Sequence, residues 1–449
     1  MRGVRRRGFG LAALALCAVS ASACATYTDR VANARLAAGA GNYTAAVDGL
    51  GTLLGVSSAD ELPSRLAGDK ALLALDRAVL QQATERFEAS QRDLSAAEQQ
   101  LELLDLGTNA IRALGSYLYS DSAKTYKIPP TERLAVNSVN LLNYVARGDL
   151  SGAAVEARRF QVMREYLQGV NVKTGAPDRL GSYLAGFVFE KGGEGDRALR
   201  YYDEALAAGP LASLALPASR LARSFPYRGS NLKSFLASAD AKAAGAAATS
   251  ELLVLVSVGR VPHRIPQRMP VGAAVGVAGA MLGDDDLDVL KYSATKVLVY
   301  PELVATPSSA GTPKLFVGGK AVALEPLADL GGSIRNEYEE SKPKILAAAL
   351  TRMAARAAVS EGTRAAGKQD SDALGDVLAI LVEAALVALD RPDTRSWTML
   401  PELVMVARVP VTAGTHEVEV SFSGAGQGRR RSVTVAENGW AALVVTEPR

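Results

Sequence analysis

Two cysteines and two histidines in 449 residues exclude most thiolate and imidazole chemistry at the outset. Catalytic Cys–His pairs and His/Cys zinc cages draw on more of both. His263 and His416 also lie in separate strand-like regions, with no acidic or cysteine partner at ligand spacing. A basic excess is lacking as well. The formal charge is +3, but Arg2, Arg5, Arg6 and Arg7 sit in a segment read below as removed, and 46 basic residues then face 47 acidic ones. A phosphate backbone would find no attractive field, so nucleic acid is not expected as a partner. No apolar run reaches the roughly 20 residues that a spanning helix needs. The nearest approach, within 372–390, is broken by Glu383, and a central carboxylate costs roughly 2.5–3.5 kcal/mol in a bilayer. G-x-S-x-G elbows, phosphate loops, H-E-x-x-H and C-x-x-C are all missing, and no enzyme activity is expected. What remains is 48% hydrophobic and 22% charged, ample for a folded chain of this length.

The first 24 residues read as an address. A cationic start gives way to an apolar run from Leu11 to Val19, then to small residues ending at Cys24, which is the layout of a secretory signal too short to span. Ala21-Ser22-Ala23-Cys24 resembles the bacterial lipoprotein cleavage box, in which the cysteine thiol receives diacylglycerol. Cleavage there removes residues 1–23 and Cys17 with them, so no internal disulfide can form. An ordinary signal with an incidental cysteine is the plain alternative. Arg6-Arg7-Gly8-Phe9 also partly matches a twin-arginine signal, though a generic basic start suffices. Acyl chains contribute about 0.8 kcal/mol per buried CH₂, enough for two or more to hold a protein on a bilayer that it does not cross. By resemblance to enterobacterial sorting, Ala25 favours the periplasmic side of the outer membrane.

From Thr26 to Ala244 apolar residues recur at three- and four-residue spacing, which predicts helices. Gly186, Phe189, Gly193, Ala198, Tyr202, Ala205 and Pro210 follow the offsets of the tetratricopeptide (TPR) helix–turn–helix signature. Small Gly186 and Ala198 let two antiparallel helices approach, and Pro210 ends the second. Gly195 stands where an aromatic is usual. Weaker copies place Tyr43, Phe87 and Leu150 in the position of Gly195, at separations of 44, 63 and 45 residues. A regular array would step by about 34.

Composition changes over 239–250, and strands are expected at 252–258, 296–304 and 314–324, the last folded back at Gly318-Gly319. Met269–Gly283 reads as a buried, flexible connection or, as an alternative, a membrane-facing loop. Long helices are expected over 334–366 and 372–390. Strands at 403–411, 415–422, 430–436 and 440–446 are expected to form a small antiparallel unit. The fold class expected is therefore α+β. Residues 24–245 form a TPR-like helical repeat domain, 250–400 an α/β domain, and 401–449 a small C-terminal antiparallel β unit packed on it.

Stacked helical hairpins make a concave groove lined by the first helix of each pair. Tyr183, Phe187 and Glu190 are the candidate groove-binding residues, with core packing the alternative for the two aromatics. Arg158 and Arg159 read as solvent or salt-bridge residues. Asp284-Asp285-Asp286 and Asp288 lack the alternating ligands and closing glutamate of a calcium loop, and Glu339-Glu340 read as helix-surface charges. No metal and no cofactor is expected.

Leu142-Asn143-Tyr144 with Gly148-Asp149 and Glu156–Arg159, the 178–210 hairpin, Val254–Gly259, Asp393–Trp397 with Leu400-Pro401, and Ala413–His416 together resemble an uncharacterised family of bacterial TPR-containing periplasmic lipoproteins. Members are often encoded beside lipoproteins resembling activators of penicillin-binding proteins. The resemblance implies a cell-envelope protein in peptidoglycan assembly or envelope maintenance and supplies no catalytic residues. The expectation is a lipid-anchored protein–protein interaction scaffold on the periplasmic side of the outer membrane, with an envelope protein as partner. A peptidoglycan binder using Trp440 as its platform is the alternative, and a cell-wall enzyme comes third. The Asp393–Trp397 string is expected to be a salt bridge and aromatic plug joining the last helix to the tail strands.

Overall fold

The computed structural model describes residues 26–103, 126–238, 250–282, 297–367 and 392–449. Cys24, the Asp284–Asp288 turn and the helix expected over 372–390 lie outside the described residues. The first half comprises α1 (Tyr27–Arg30), α2 (Ala32–Gly39), α3 (Tyr43–Leu54), α4 (Lys70–Ala83), α5 (Phe87–Glu98), α6 (Pro130–Ala146), α7 (Leu150–Gly169), α8 (Gly175–Lys191), α9 (Gly195–Ala205), α10 (Ala215–Ser224) and α11 (Ser230–Leu236). A short parallel pair, β1 (Glu102–Leu103) and β2 (Lys127–Ile128), lies between α5 and α6.

One turn is used four times. Three residues join α2 to α3, α4 to α5, α6 to α7 and α8 to α9, and the middle one has positive φ in each: Gly41, Glu85, Gly148 and Gly193. The residue after it donates its N–H to the carbonyl five positions back, at 2.8, 2.8, 3.0 and 2.8 Å. Such a left-handed closure satisfies carbonyls that a helix end leaves open. The first residues of the second helices are Tyr43, Phe87, Leu150 and Gly195, the positions the sequence spacing singled out. Three residues further, Ala46, Ser90, Ala153 and Ala198 are all fully buried where the paired helices cross. In the fourth hairpin a Cβ on Gly186 would sit 2.5 Å from the Tyr202 ring, so the glycine is what lets α8 and α9 meet. The Phe225 ring occupies the space beside Gly195, filling the place of the missing aromatic from the next segment.

The second half holds two four-stranded sheets. With β3 (Ser250–Val258), β4 (His263–Pro270), β5 (Val297–Val304), β6 (Pro313–Val317), β7 (Lys320–Val322), β8 (Glu325–Asp329), β9 (Leu403–Val411), β10 (Gly414–Phe422), β11 (Arg429–Val435) and β12 (Trp440–Glu447), their orders are β12-β3-β9-β8 and β11-β10-β6-β7. The strand β3 is apolar on both faces because it lies in the middle layer. Leu253 and Leu255 join the helical core, while Leu252, Val254 and Val256 face the second sheet through Leu315, Val418 and Val420. Helices, sheet and sheet therefore form three layers.

The tail strands are not a unit of their own. Strands β9 and β12 flank β3, Ser250 pairing with Val411 and Glu251 with Trp440, whereas β10 and β11 extend the sheet of β6. A strand already apolar on both faces needs two neighbours, and the nearest tail strands supply them. The helical and β halves likewise share one core, which contains Leu72, Phe187, Leu255 and Val444 together. Strands β4 and β8 escape a period-two reading, β4 because Pro266 and Pro270 interrupt it; it forms only a two-stranded ribbon with β5. The connection expected to be flexible contains a helix, α12 (Val271–Ala278), packed against α13 (Leu330–Gly367).

Candidate functional site

The groove expected on the inner side of the hairpins is filled by the chain itself. The first helices α4, α6 and α8 lie against the β12-β3-β9-β8 sheet, and the second helices α5, α7 and α9 lie outside. Tyr183 and Phe187 are fully buried there, which corrects their reading as groove-lining residues. The Phe187 ring meets the half-buried Trp440 edge-on at 5.1 Å, so Trp440 packs against the helical core. Glu190 accepts from Arg408 at 2.8 Å, and Arg408 also reaches Glu251 at 2.6 Å. Burial works against ionisation of Glu190, but Arg408 and Lys191 outweigh it and hold the carboxyl below its ordinary value. The physical reason is area: a sheet face carrying Leu253, Leu255 and Val444 is costly to wet, and the apolar faces of the first helices cover it in one shared core.

The Asp393–Trp397 string is a plug, but into the helical layer. Arg395 Nε donates to Asp393 Oδ1 at 2.8 Å and its Nη1 reaches Asp69 Oδ1 at 3.1 Å. Trp397 is fully buried, and its backbone N–H donates to Glu132 at 3.2 Å. Asp76 accepts from Met399 N at 2.8 Å, Thr398 Oγ1 at 3.0 Å and Tyr27 OH at 2.7 Å. Burial pushes Asp76 up to about 6 and Glu132 up to about 7. Buried carboxyls with raised pKa are candidates for catalysis. Here both oxygens of Asp76 accept from this chain's own donors, and the residue is fully buried.

His263 is buried at the start of β4, beside Arg35 at 2.9 Å and Thr306 at 3.0 Å. Burial and then the Arg35 and Arg260 charges push it down to about 4. His416 bonds the Thr412 carbonyl at 2.8 Å on β10. Among the described residues no three His, Cys, Asp or Glu side chains converge as metal ligands, and no helix is long and apolar enough to cross a membrane.

Two outward features stand out in the helical half of the described residues. Helix α7 is apolar on opposite faces. Its inner face places Ala153, Ala157, Phe160 and Leu167 in the core, with the Phe160 ring against Gly181 of α8. Its outer face exposes Val155 (47%), Val162 (68%) and Tyr166 (55%), which follow one another by seven and four residues and so form one stripe. Arg158 and Arg159 rim it, Arg159 with only long contacts to Glu98 and Glu156 at 3.7 and 3.8 Å. Arg164, two residues beyond Val162, is tied to Asp178 and Glu204 at 2.7 Å each and fixes the helix on α8 and α9.

The second feature is an open groove of about 820 Å³ across the turns of the second and third hairpins, lined by Asp60, Glu85, Arg86, Phe87, Arg92 and Arg147. Asp149, also in its wall, caps α7 by accepting from Gly152 N at 2.9 Å, so the groove adjoins the start of that helix. Arg86 pairs with Asp60 and Arg431 with Glu85, giving a rim of matched charges around one aromatic. Neither feature was singled out in the sequence, although the stripe was readable as a helix with a second apolar face opposite Ala153 and Phe160. In comparisons with known proteins no family model matches the chain, and no curated protein or solved structure matches it, so function is read from these residues alone.

Proposed function

We propose that the protein is a lipid-anchored, non-enzymatic scaffold on the periplasmic side of the bacterial outer membrane, whose TPR-like hairpins hold an envelope protein. The single observation that carries this reading is the outer face of α7. Exposed side chains of a surface helix are normally polar, yet Val155, Val162 and Tyr166 face outward from a helix whose other face is already packed. Contiguous apolar exposure of this kind marks an interaction surface. The partner that fits is an amphipathic helix presenting apolar residues at matching spacing and acidic residues toward Arg158 and Arg159. The groove beside the start of α7 offers paired charges that suit the polar flank of such a segment. The anchor is acylated Cys24. The resemblance to envelope lipoproteins directs the search toward peptidoglycan assembly or envelope maintenance.

The test is a Val162→Asp, Tyr166→Asp variant compared with the parent in native membranes. The reading expects one envelope protein to co-purify with the parent and to be lost from the variant. Equal recovery from both, or retention on purified sacculi with no protein partner, overturns it.

A further inference from the structure

We infer that α12 and the adjoining start of β5 form a second membrane contact, a patch that rests in the lipid surface beside the acyl anchor; this rests on the reading of Cys24 as lipidated. Val271–Leu282 contains no charged or polar side chain. One side of α12 is spent on the fold, with Val271, Ala274 and Ala278 fully buried against the α13 and ribbon side. The other side carries Val277 (52%) and, just beyond the helix, Met281 (43%), with Val297 (50%) at the start of β5. Val297 pairs with Pro270, the residue before α12, so the strand start and the helix belong to one end of the ribbon. A half-exposed helix that is apolar all round lacks a covering neighbour among the described residues.

Two observations choose lipid as that neighbour. Among the described residues, Val271–Leu282 and Val297 offer no side-chain hydrogen-bonding group, whereas protein interfaces make about one hydrogen bond per 100–200 Å². The described chain also begins on the same ribbon: Thr28 Oγ1 donates to the Arg264 carbonyl of β4 at 2.7 Å. Cys24 stands two residues before Thr26, a reach of about 7 Å. Arg264 to Pro270 spans about 20 Å of strand. A ribbon lying along the bilayer thus brings both ends to one surface. Arg268, exposed on β4, has a long stem and a charge suited to headgroups.

The experiment uses the full chain carrying Val277→Cys, labelled with an environment-sensitive fluorophore. Cys17 leaves with the signal, acylation blocks Cys24, and peptide mapping of the label selects preparations labelled at the introduced cysteine alone. The probe is the labelled protein in vesicles of phosphatidylethanolamine and phosphatidylglycerol, with quenchers placed in lipid tails or in water, and Leu36→Cys (72% exposed at the parent residue) as the control. The inference expects several-fold stronger quenching from lipid at 277 than at 36. Equal quenching by the aqueous quencher at both positions overturns it, and so does a label at 277 shielded by a second copy in a concentration-dependent way. Mass spectrometry of the mature amino terminus reads the anchor separately. Acylated Cys24 with a wet label at 277 ends this inference alone, and lipid quenching with an unmodified Cys24 ends the anchor reading while the patch stands.

Discussion

Replacing Glu132 with Gln should convert a stability difference into a pH-dependent one. Glu132 lies at the heart of the plug, 3% exposed, accepting from Tyr126 OH at 2.6 Å and from Trp397 N at 3.2 Å. Burial is the main cause that lifts its carboxyl from 4.5 to about 7; Arg264 and the two hydrogen bonds favour the charged form, and Glu337 opposes it. Between these values the folded protein binds a proton that the unfolded chain releases. The stability tied to this group is therefore full below pH 4.5 and is lost as pH rises through about 7. At about 1.4 kcal/mol per pH decade the whole loss is about 3 kcal/mol. Glutamine keeps the acceptor and cannot ionise. Urea unfolding of the parent and Glu132→Gln near pH 5 and near pH 8 checks this, because the other titrating groups cancel in the difference. The expectation is that Gln gains on the parent by about 2–3 kcal/mol between the two conditions. A difference that stays constant with pH would refute the buried, proton-binding role of Glu132.

Three further losses of stability follow from the packing. Gly193→Ala meets no neighbouring atom within 4 Å but holds φ at +80°, so the cost is purely backbone, about 1–2 kcal/mol by thermal unfolding. Gly186→Ala drives a methyl into the Tyr202 ring and toward the Ala198 carbonyl at 3.3 Å, and should cost about 1–3 kcal/mol by urea unfolding. Arg408→Ala leaves the part-buried Glu190 and Glu251 with Lys191 as their remaining shared cation, a loss of about 3 kcal/mol in the same measurement. By contrast, Val162→Asp should leave stability within about 0.5 kcal/mol, since its side chain faces water.

The hairpins were legible because their signals are local. A residue able to take positive φ, an N-terminal turn and a buried small residue three positions into the next helix repeat in the sequence at Gly41, Gly148 and Gly193, and only Glu85 departs from glycine. The tail strands were legible as strands, since alternation and Gly-containing turns are local too. Their partners were not. That β12 would pair with β3 in parallel, joining Leu255 to Val444 across 189 residues of sequence, depends on which apolar faces remain uncovered after every element has formed. The same nonlocal competition closed the expected groove. Tyr183 and Phe187 have the composition of a recognition surface, and the sheet bearing Trp440 and Arg408 reaches them first. The stripe on α7 was missed for the converse reason, because Val155, Val162 and Tyr166 look like core until Ala153, Ala157 and Phe160 are seen to fill that role.

The most direct measurement is site-specific photo-cross-linking in the native envelope from position 162, with position 36 as an equally exposed control. A single protein joined at 162, absent at 36 and lost when Val155 and Tyr166 are both changed to Asp, is the predicted result. Identical adducts from both positions, or none from 162 in membranes where the protein is intact, would contradict the assignment of α7 as the holding face.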